Sequence, residues 1–147
     1  VSIMVKRMIT PLEKAKFWLN VRPYFSVELE RKLLKLGYLQ SEVDPVIKLL
    51  QEELVLNDEA HFKNFIENMQ LSLLWGSKKI TQKLVDRGHA YSVAREKTKE
   101  YYQKDKEPAI IEKLIQKVTK LHKDDVNLQR KTEVFLYNRG FENTKKG

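Results

Sequence analysis

The chain has 147 residues, of which 41% are hydrophobic and 33% are charged, and its formal net charge is +8. This length suits one compact domain, or a few small repeated units that share a core. The absence of cysteine excludes disulfides, thiolate metal sites and cysteine nucleophiles, and no apolar run reaches the roughly 18–20 residues that cross a bilayer. We therefore expect a cytoplasmic protein that does not enter the membrane.

The positive charge is concentrated in one half of the chain. Residues 1–75 carry ten basic and ten acidic side chains, whereas residues 76–147 carry eighteen basic and ten acidic ones. Residues 41–67 have seven acidic and two basic side chains, so this region should repel phosphates. The asymmetry favours an anionic partner for the C-terminal half, although a well-solvated surface would carry the same charges.

Local signals predict an all-α fold of eight helices. Thr10-Pro11-Leu12-Glu13 combines a threonine cap, a proline at the first helical position and a capping-box glutamate, so the first helix should run over 11–22. Serine caps, apolar periodicity and glycine stops predict the other seven. Their expected ranges are 27–36, from 41 onwards, 58–75, 77–87 with Ser77 as a cap, 92–103, 108–122 and 125–139.

Three glycines mark an internal repeat. Gly37, Gly88 and Gly140 stand 51 and then 52 residues apart, and each follows a leucine by four positions. A fixed period of this length is typical of structural repeats stacked in series. The sequence thus predicts three tandem three-helix repeats, with boundaries at 10–56, 57–104 and 105–147. The third repeat should lack its last helix, because few residues follow Gly140.

No catalytic or metal-binding motif is visible. His61, His89 and His122 never stand four residues from another metal ligand, and the sequence has neither a glycine-rich phosphate loop nor a nucleophile elbow. We therefore expect no catalytic residues, no cofactor and no metal, and interpret the chain as a binding protein rather than an enzyme.

The best functional signal is Gly76-Ser77-Lys78-Lys79-Ile80. Two lysines in the first turn of a helix oppose the positive end of its dipole, and a bound anion would turn this cost into a gain. The alternative is that they only solvate an exposed turn. Other basic residues that we expect to form a strip for a phosphate backbone or an acidic protein surface are Lys83, Arg87, Lys113, Lys117, Lys120, Arg130, Lys131 and Arg139.

Several segments resemble the RecX family of regulatory proteins. Ser26-Val27-Glu28-Leu29, with Lys32-Leu33 and Gly37, resembles the opening repeat of that family, and residues 46–62 resemble its link to the second repeat. The family's central signature is matched by Gly76, Lys79-Ile80, Leu84 and Gly88. The resemblance covers about residues 11–141.

This resemblance implies three tandem three-helix repeats in an elongated, modular arrangement, and a protein without catalysis of its own. It implies binding, as a monomer, to the RecA recombinase filament on single-stranded DNA, with the DNA contacted weakly or through the filament. Inhibition of the ATPase and strand exchange of RecA, and thereby regulation of recombination, DNA repair and the SOS response, would follow. The sequence departs from the family at residues 71–75, which are apolar where members are often basic, and in its incomplete third repeat.

Two other functions remain open from the residues alone. A sequence-tolerant helical DNA-binding protein would act without a recombinase and would bind bare DNA with a steep salt dependence. A helical-repeat scaffold for acidic proteins would have negligible affinity for DNA at any salt concentration.

Overall fold

The computed structural model describes residues 9–142, and within this range it contains helices and turns but no strand. The all-α prediction is therefore confirmed. The eight α-helices of the described range are α1 Pro11–Val21, α2 Ser26–Lys35, α3 Gln40–Glu52, α4 Asp58–Leu71, α5 Ser77–Asp86, α6 Tyr91–Tyr101, α7 Glu107–Leu121 and α8 Leu128–Asn138, with a 3-10 turn at Lys104–Lys106 before α7.

The start of α1 has the predicted capping box. The backbone N–H of Glu13 donates to Thr10 Oγ1 over 3.1 Å, and Glu13 Oε1 accepts from the Thr10 N–H over 3.1 Å. The hydrogen bonds from Thr10 lower the pKa of Glu13. Both orphan donors are thus satisfied locally, as the sequence pattern indicates.

The serine caps were wrong by one or two positions. The capping positions of α2 and α3 are Phe25 and Leu39, and helical structure already begins at the next residue. The glutamate three residues after each cap compensates: the Phe25 N–H donates to Glu28 over 3.3 Å, and the Leu39 N–H donates to Glu42 over 2.8 Å. Gly76 and Ala90 likewise hold the capping positions of α5 and α6.

Helix α4 ends at Leu71, four residues earlier than predicted. Leu74 adopts a left-handed φ of 59°, and the Trp75 N–H reaches back to the carbonyl of Met69 over 3.0 Å. The apolar residues therefore continue past the end of the helix into a turn, in which Leu73 is exposed and Leu74 and Trp75 are half-buried. This turn leads directly into Gly76 and the start of α5.

The chain divides into two compact units, and the boundary in the sequence falls between His61 and Phe62, near the start of α4. In the first unit α1, α2 and α3 pack on one another around fully buried Leu29, Leu33 and Leu50. In the second unit α5 packs on α6, and α7 packs on α8.

The three repeat glycines are all left-handed. Gly37, Gly88 and Gly140 have φ angles of 101°, 109° and 95°, which side chains other than glycine rarely adopt. The leucines four positions earlier, Leu33, Leu84 and Leu136, are all buried. The glycine stops thus have the expected conformation, while the repeat boundaries stay a prediction.

Within the second unit the backbone after α8 crosses the start of α5 at two glycines. The Gly76 N–H donates to the carbonyl of Arg139 over 2.7 Å. A Cβ added to Gly76 would overlap the Gly140 carbonyl group, and one added to Gly140 would overlap Lys79. This crossing fixes where the first turn of α5 lies.

Candidate anion-binding surface

Two backbone N–H groups at the start of α5 already donate hydrogen bonds to the backbone that follows α8, so they do not offer a bond to an anion. Besides the bond from Gly76, the N–H of Lys78 donates to the Gly140 carbonyl over 3.1 Å. Ser77 lies inside the helix, and its carbonyl accepts from Thr81 Oγ1 over 2.8 Å. The expected combination of a serine cap and free N–H donors was therefore wrong at Ser77 and Lys78. The ammonium groups of the two lysines remain as the anion-attracting groups.

Lys78 and Lys79 are adjacent in the chain but have different surroundings. Lys78 is exposed, whereas Lys79 is half-buried with its Nζ 4.4 Å from the centroid of the Trp75 ring. The Nζ of Lys83 lies 5.8 Å from the same ring. A cation over an aromatic face gains about 0.5–1 kcal/mol at an exposed site, so Trp75 holds both ammonium groups on one side of α5.

Arg87 completes this side of α5 at its C-terminal end. Its guanidinium carbon lies 5.2 Å from the centroid of the Phe65 ring, and its side chain is half-buried. The three predicted residues Lys79, Lys83 and Arg87 therefore do follow one helix face. They also contact aromatic rings, so packing accounts for part of their presence.

Lys113, Lys117 and Lys120 lie exposed along α7. They alternate with buried Ile110 and Leu114, which face the apolar cluster between α7 and α8. Their spacing of four and then three residues places them as neighbours on the helix surface. They form a short cationic row on the outer side of α7.

The three predicted residues of α8 and its C-terminal cap divide into two kinds. Arg130 is exposed and lines a groove of about 610 Å³ between α7 and α8, together with Lys131. The Nζ of Lys131 is 2.5 Å from Asp125 Oδ2. Asp125 also accepts from the Asn127 N–H over 2.7 Å, and these bonds lower the pKa of Asp125, that from Lys131 most strongly.

Arg139 has a structural role. Its guanidinium donates to the carbonyl of Leu74 over 3.3 Å and also to the carbonyl of Leu73, and it lies 5.4 Å from the centroid of the Phe135 ring. These carbonyls lie in the turn that follows α4 and need donors, which Arg139 supplies from the cap of α8. The predicted basic strip thus includes one cation that ties the second unit together.

Sequence reasoning missed three cations beside Lys78. Arg95 and Lys99 of α6, and Lys104 of the 3-10 turn, line the same groove as Lys78. The four-residue spacing of Arg95 and Lys99 on one helix was an available signal. Their position opposite the start of α5 depends on how α5 and α6 pack.

The described residues offer neither a metal centre nor a membrane span. Within residues 9–142, no three side chains of the metal-ligating types His, Cys, Asp and Glu converge on one point. In the same range, no helix combines the length and the apolar character needed to span a bilayer.

Comparison with known proteins identifies the family of this chain. No protein-family model matches it. Regulatory protein RecX from Pelodictyon phaeoclathratiforme is 35% identical over 124 residues, which cover 84% of this chain and 76% of that protein. Regulatory protein RecX from Chlorobium limicola is 30% identical over 125 residues, covering 84% of this chain and 77% of that protein.

A solved structure supports the same relationship at the level of the fold. The crystal structure of RecX from Lactobacillus salivarius matches with a TM-score of 0.79 at 21% sequence identity, covering 90% of this chain and 86% of that one. The fold alone does not assign a family. The two RecX proteins are 35% and 30% identical to this chain, each over more than three quarters of its own length, and these identities assign it. The chain therefore belongs to the RecX family of regulatory proteins.

Proposed function

We propose that this chain regulates the RecA recombinase by binding the RecA filament on single-stranded DNA and lowering its ATP hydrolysis and strand exchange. The observation that carries the proposal is its membership of the RecX family over 124 aligned residues. Through this inhibition the chain modulates recombination, DNA repair and the SOS response. It acts as a monomer in the cytoplasm, without catalysis or a cofactor of its own.

The repeat architecture is part of the same proposal. Three three-helix repeats over 10–56, 57–104 and 105–147, the last without its final helix, would present similar surfaces at regular intervals along a filament. The left-handed glycines and the buried leucines that precede them support this arrangement. An elongated array of this kind suits a partner that is itself periodic.

The proposed contact residues are the predicted cations of the second unit, which differ in how they are engaged within the fold. The row on α7 is exposed, Arg130 is exposed on α8, and Trp75 holds Lys79 and Lys83 on one side of α5. Lys78 and Arg87 extend this α5 surface at either end. Lys131 and Arg139 belong to the proposed surface with a reduced contribution, since each already bonds within the unit.

The deciding experiment measures ATP hydrolysis by RecA on single-stranded DNA, with and without this protein at stoichiometric amounts. We expect a lower rate with the wild-type protein. The variant Lys113→Glu/Lys117→Glu/Lys120→Glu should inhibit at least about tenfold more weakly, because it reverses three exposed charges on the proposed surface. No effect of the wild-type protein on the rate would refute the proposal.

The matched control reverses three exposed lysines of the first unit, Lys16→Glu/Lys35→Glu/Lys48→Glu. It changes the net charge of the chain by the same amount and should retain inhibition. Equal loss in the two variants would show that net charge alone, and not the α7 row, determines the effect. Circular dichroism of both variants checks that helix content is retained.

The second candidate is a sequence-tolerant helical DNA-binding protein that acts without a recombinase. The basic groove beside Lys78 favours it, because phosphate contacts of this kind give sequence-independent affinity. Steeply salt-dependent binding to bare DNA, with RecA activity unaffected, would support this function. A scaffold for acidic proteins predicts instead that DNA binding is absent at every salt concentration.

A further inference from the structure

A basic groove of about 820 Å³ lies between α5, α6 and the 3-10 turn. Four cations line it: Lys78 from the first turn of α5, Arg95 and Lys99 from α6, and Lys104 from the turn. Glu142 is the one acid among its lining residues, so the wall keeps a net charge of three positive units. Its volume lies in the range of pockets that bind small ligands.

Two buried hydroxyl groups also line this groove. Thr98 is 2% exposed, and its hydroxyl oxygen has no hydrogen-bond partner among the described residues. Tyr102 is 7% exposed, and its hydroxyl interacts with the side chains of Glu107 and Gln70. Leaving a buried hydroxyl unpaired costs about 1–3 kcal/mol. Burial, with the negative charge of Glu107 and a hydrogen bond to it, raises the pKa of Tyr102. The groove thus combines cationic walls with one buried hydroxyl, that of Thr98, that has no partner among the described residues.

An exposed aromatic ring narrows the class of ligand. Tyr91 lines the same groove and is 60% exposed. A flat ring beside a cationic groove suits a ligand that carries both a phosphate and a planar base, since bases stack on aromatic side chains and phosphates pair with lysine and arginine. An acidic side chain would use the cations but leave the ring unused.

We propose that the groove between α5 and α6 binds a nucleotide unit, with its phosphate against Lys78, Arg95 and Lys99 and its base stacked on Tyr91. The source of that unit is either single-stranded nucleic acid or a free nucleotide, which share this chemistry. The site deepens the proposed function, because a filament on single-stranded DNA would bring such phosphates to the chain. Binding is nevertheless a property of the chain alone, so it is measured without a recombinase.

The experiment follows the fluorescence anisotropy of a fluorescein-labelled 15-nucleotide oligodeoxythymidine as the protein is titrated. The double variant Arg95→Ala/Lys99→Ala should lower the affinity about tenfold, because it removes two charge-assisted contacts from exposed positions. The control Lys16→Ala/Lys48→Ala removes the same charge from exposed positions of the first unit and should stay within about twofold of wild type. Equal losses in the two variants, or no binding by the wild-type protein, would overturn the proposal.

Thr98→Val tests the buried hydroxyl without changing the shape of the side chain. It should weaken oligonucleotide binding several-fold, while the melting temperature stays the same or rises, because the substitution removes an unpaired polar group from the interior. If Thr98→Val and Arg95→Ala/Lys99→Ala, measured separately, both bind the oligonucleotide with wild-type affinity, the groove is not the binding site.

Competition identifies the source of the nucleotide. Displacement of the oligonucleotide by ATP or thymidine monophosphate at millimolar concentration, but not by equal ionic strength of sodium chloride, indicates a site for free nucleotides. Resistance to both nucleotides with sensitivity to unlabelled oligodeoxythymidine indicates single-stranded nucleic acid. Displacement by polyglutamate alone would overturn the proposal in favour of an acidic protein. Because RecA is absent, failure here leaves the ATPase prediction standing, and the reverse also holds.

Discussion

At the scale of the residue, equal charges have different roles in this protein. Arg130 and Lys131 are neighbours on α8, yet only Lys131 makes an ion pair, with Asp125 before the helix. Arg139 donates to carbonyls in the turn after α4, 65 and 66 residues earlier in the chain. Residue type and spacing therefore identify a cation but not whether it is already engaged within the fold.

The ion pair of Lys131 predicts a change in the titration of Asp125. The pKa of Asp125 is lowered from its ordinary value of 3.8, so the stabilisation from this bond is present at neutral pH. It is lost as the pH falls through the folded-state pKa. Lys131→Ala should move this pKa upward, as measured by the pH dependence of the Asp125 carboxyl carbon shift in NMR spectra.

Arg130→Ala is the control for this titration, because it removes the adjacent charge but no bond to Asp125. It should leave the pKa of Asp125 close to that of the wild-type protein. If the pKa of Asp125 is unchanged in Lys131→Ala, the ion pair between Lys131 and Asp125 is contradicted.

The carbonyl contacts of Arg139 predict a stability effect. Arg139→Met keeps much of the aliphatic side chain but leaves the carbonyls of Leu73 and Leu74 without this donor. We expect the free energy of unfolding to fall by about 1–3 kcal/mol in urea denaturation. The exposed Arg130→Met on the same helix should change it by less than about 0.5 kcal/mol, and equal effects at the two positions would exclude the structural role.

At the scale of the element, the start of α5 depends on a close approach of two backbones. Gly76 caps the helix with a φ of −83°, which any residue adopts, so its need for glycine is steric rather than conformational. Gly140 has both constraints, because its φ is positive and its position faces Lys79. The sequence marked Gly140 as a helix stop, but its contact with α5 became visible only in the packed structure.

Gly76→Ala tests this crossing. At a negative φ, alanine in place of glycine ordinarily stabilises a protein by about 0.4–1 kcal/mol through the unfolded state. Here the added Cβ would overlap the Gly140 carbonyl, so we expect destabilisation by about 2 kcal/mol in urea denaturation. Gly140→Ala should be costlier still, because it adds left-handed strain, and a stabilised Gly76→Ala would contradict the crossing.

At the scale of the whole molecule, the uneven charge decides where a polyanion can bind. The entire net charge of +8 lies in residues 76–147, which fall within the second compact unit. The first unit contributes a packed core, and residues 41–67, which span the boundary between the units, carry seven acidic and two basic side chains. The proposed contact with a RecA filament on single-stranded DNA is therefore expected on the second unit.

This division predicts the salt dependence of binding to a RecA filament on single-stranded DNA. The affinity of the wild-type protein should fall as potassium chloride is raised from 50 to about 200 mM, because released counterions drive contacts with phosphates. Lys113→Glu/Lys117→Glu/Lys120→Glu should flatten the slope of log affinity against log salt, whereas Lys16→Glu/Lys35→Glu/Lys48→Glu should preserve it. Filament binding without any salt dependence would argue against a phosphate contact.

The sequence by itself determined the helices, the glycine stops and the family. Capping at Thr10, apolar periodicity and a glycine after each repeated leucine are local properties, since a helix end is set by residues within one turn of it. Some helix boundaries differ from the prediction for reasons that are also local. At the starts of α2 and α3, Glu28 and Glu42 accept hydrogen bonds from the capping residues, where a serine cap was expected. After α4, the left-handed backbone of Leu74 turns the chain before the apolar residues end.

Only the tertiary structure decided which cations are available and where they gather. Arg139 is engaged by carbonyls more than sixty residues away, and Lys79 and Lys83 share a ring from the turn before α5. The groove beside Lys78 requires Arg95, Lys99 and Lys104 to face α5 across a packed interface. The bonds of Arg139 and the assembly of the groove depend on contacts between residues distant in sequence, and the spacing of residues along one helix does not contain them. Lys79 and Lys83 lie only four and eight residues after Trp75, and their contact depends on the turn that places this ring.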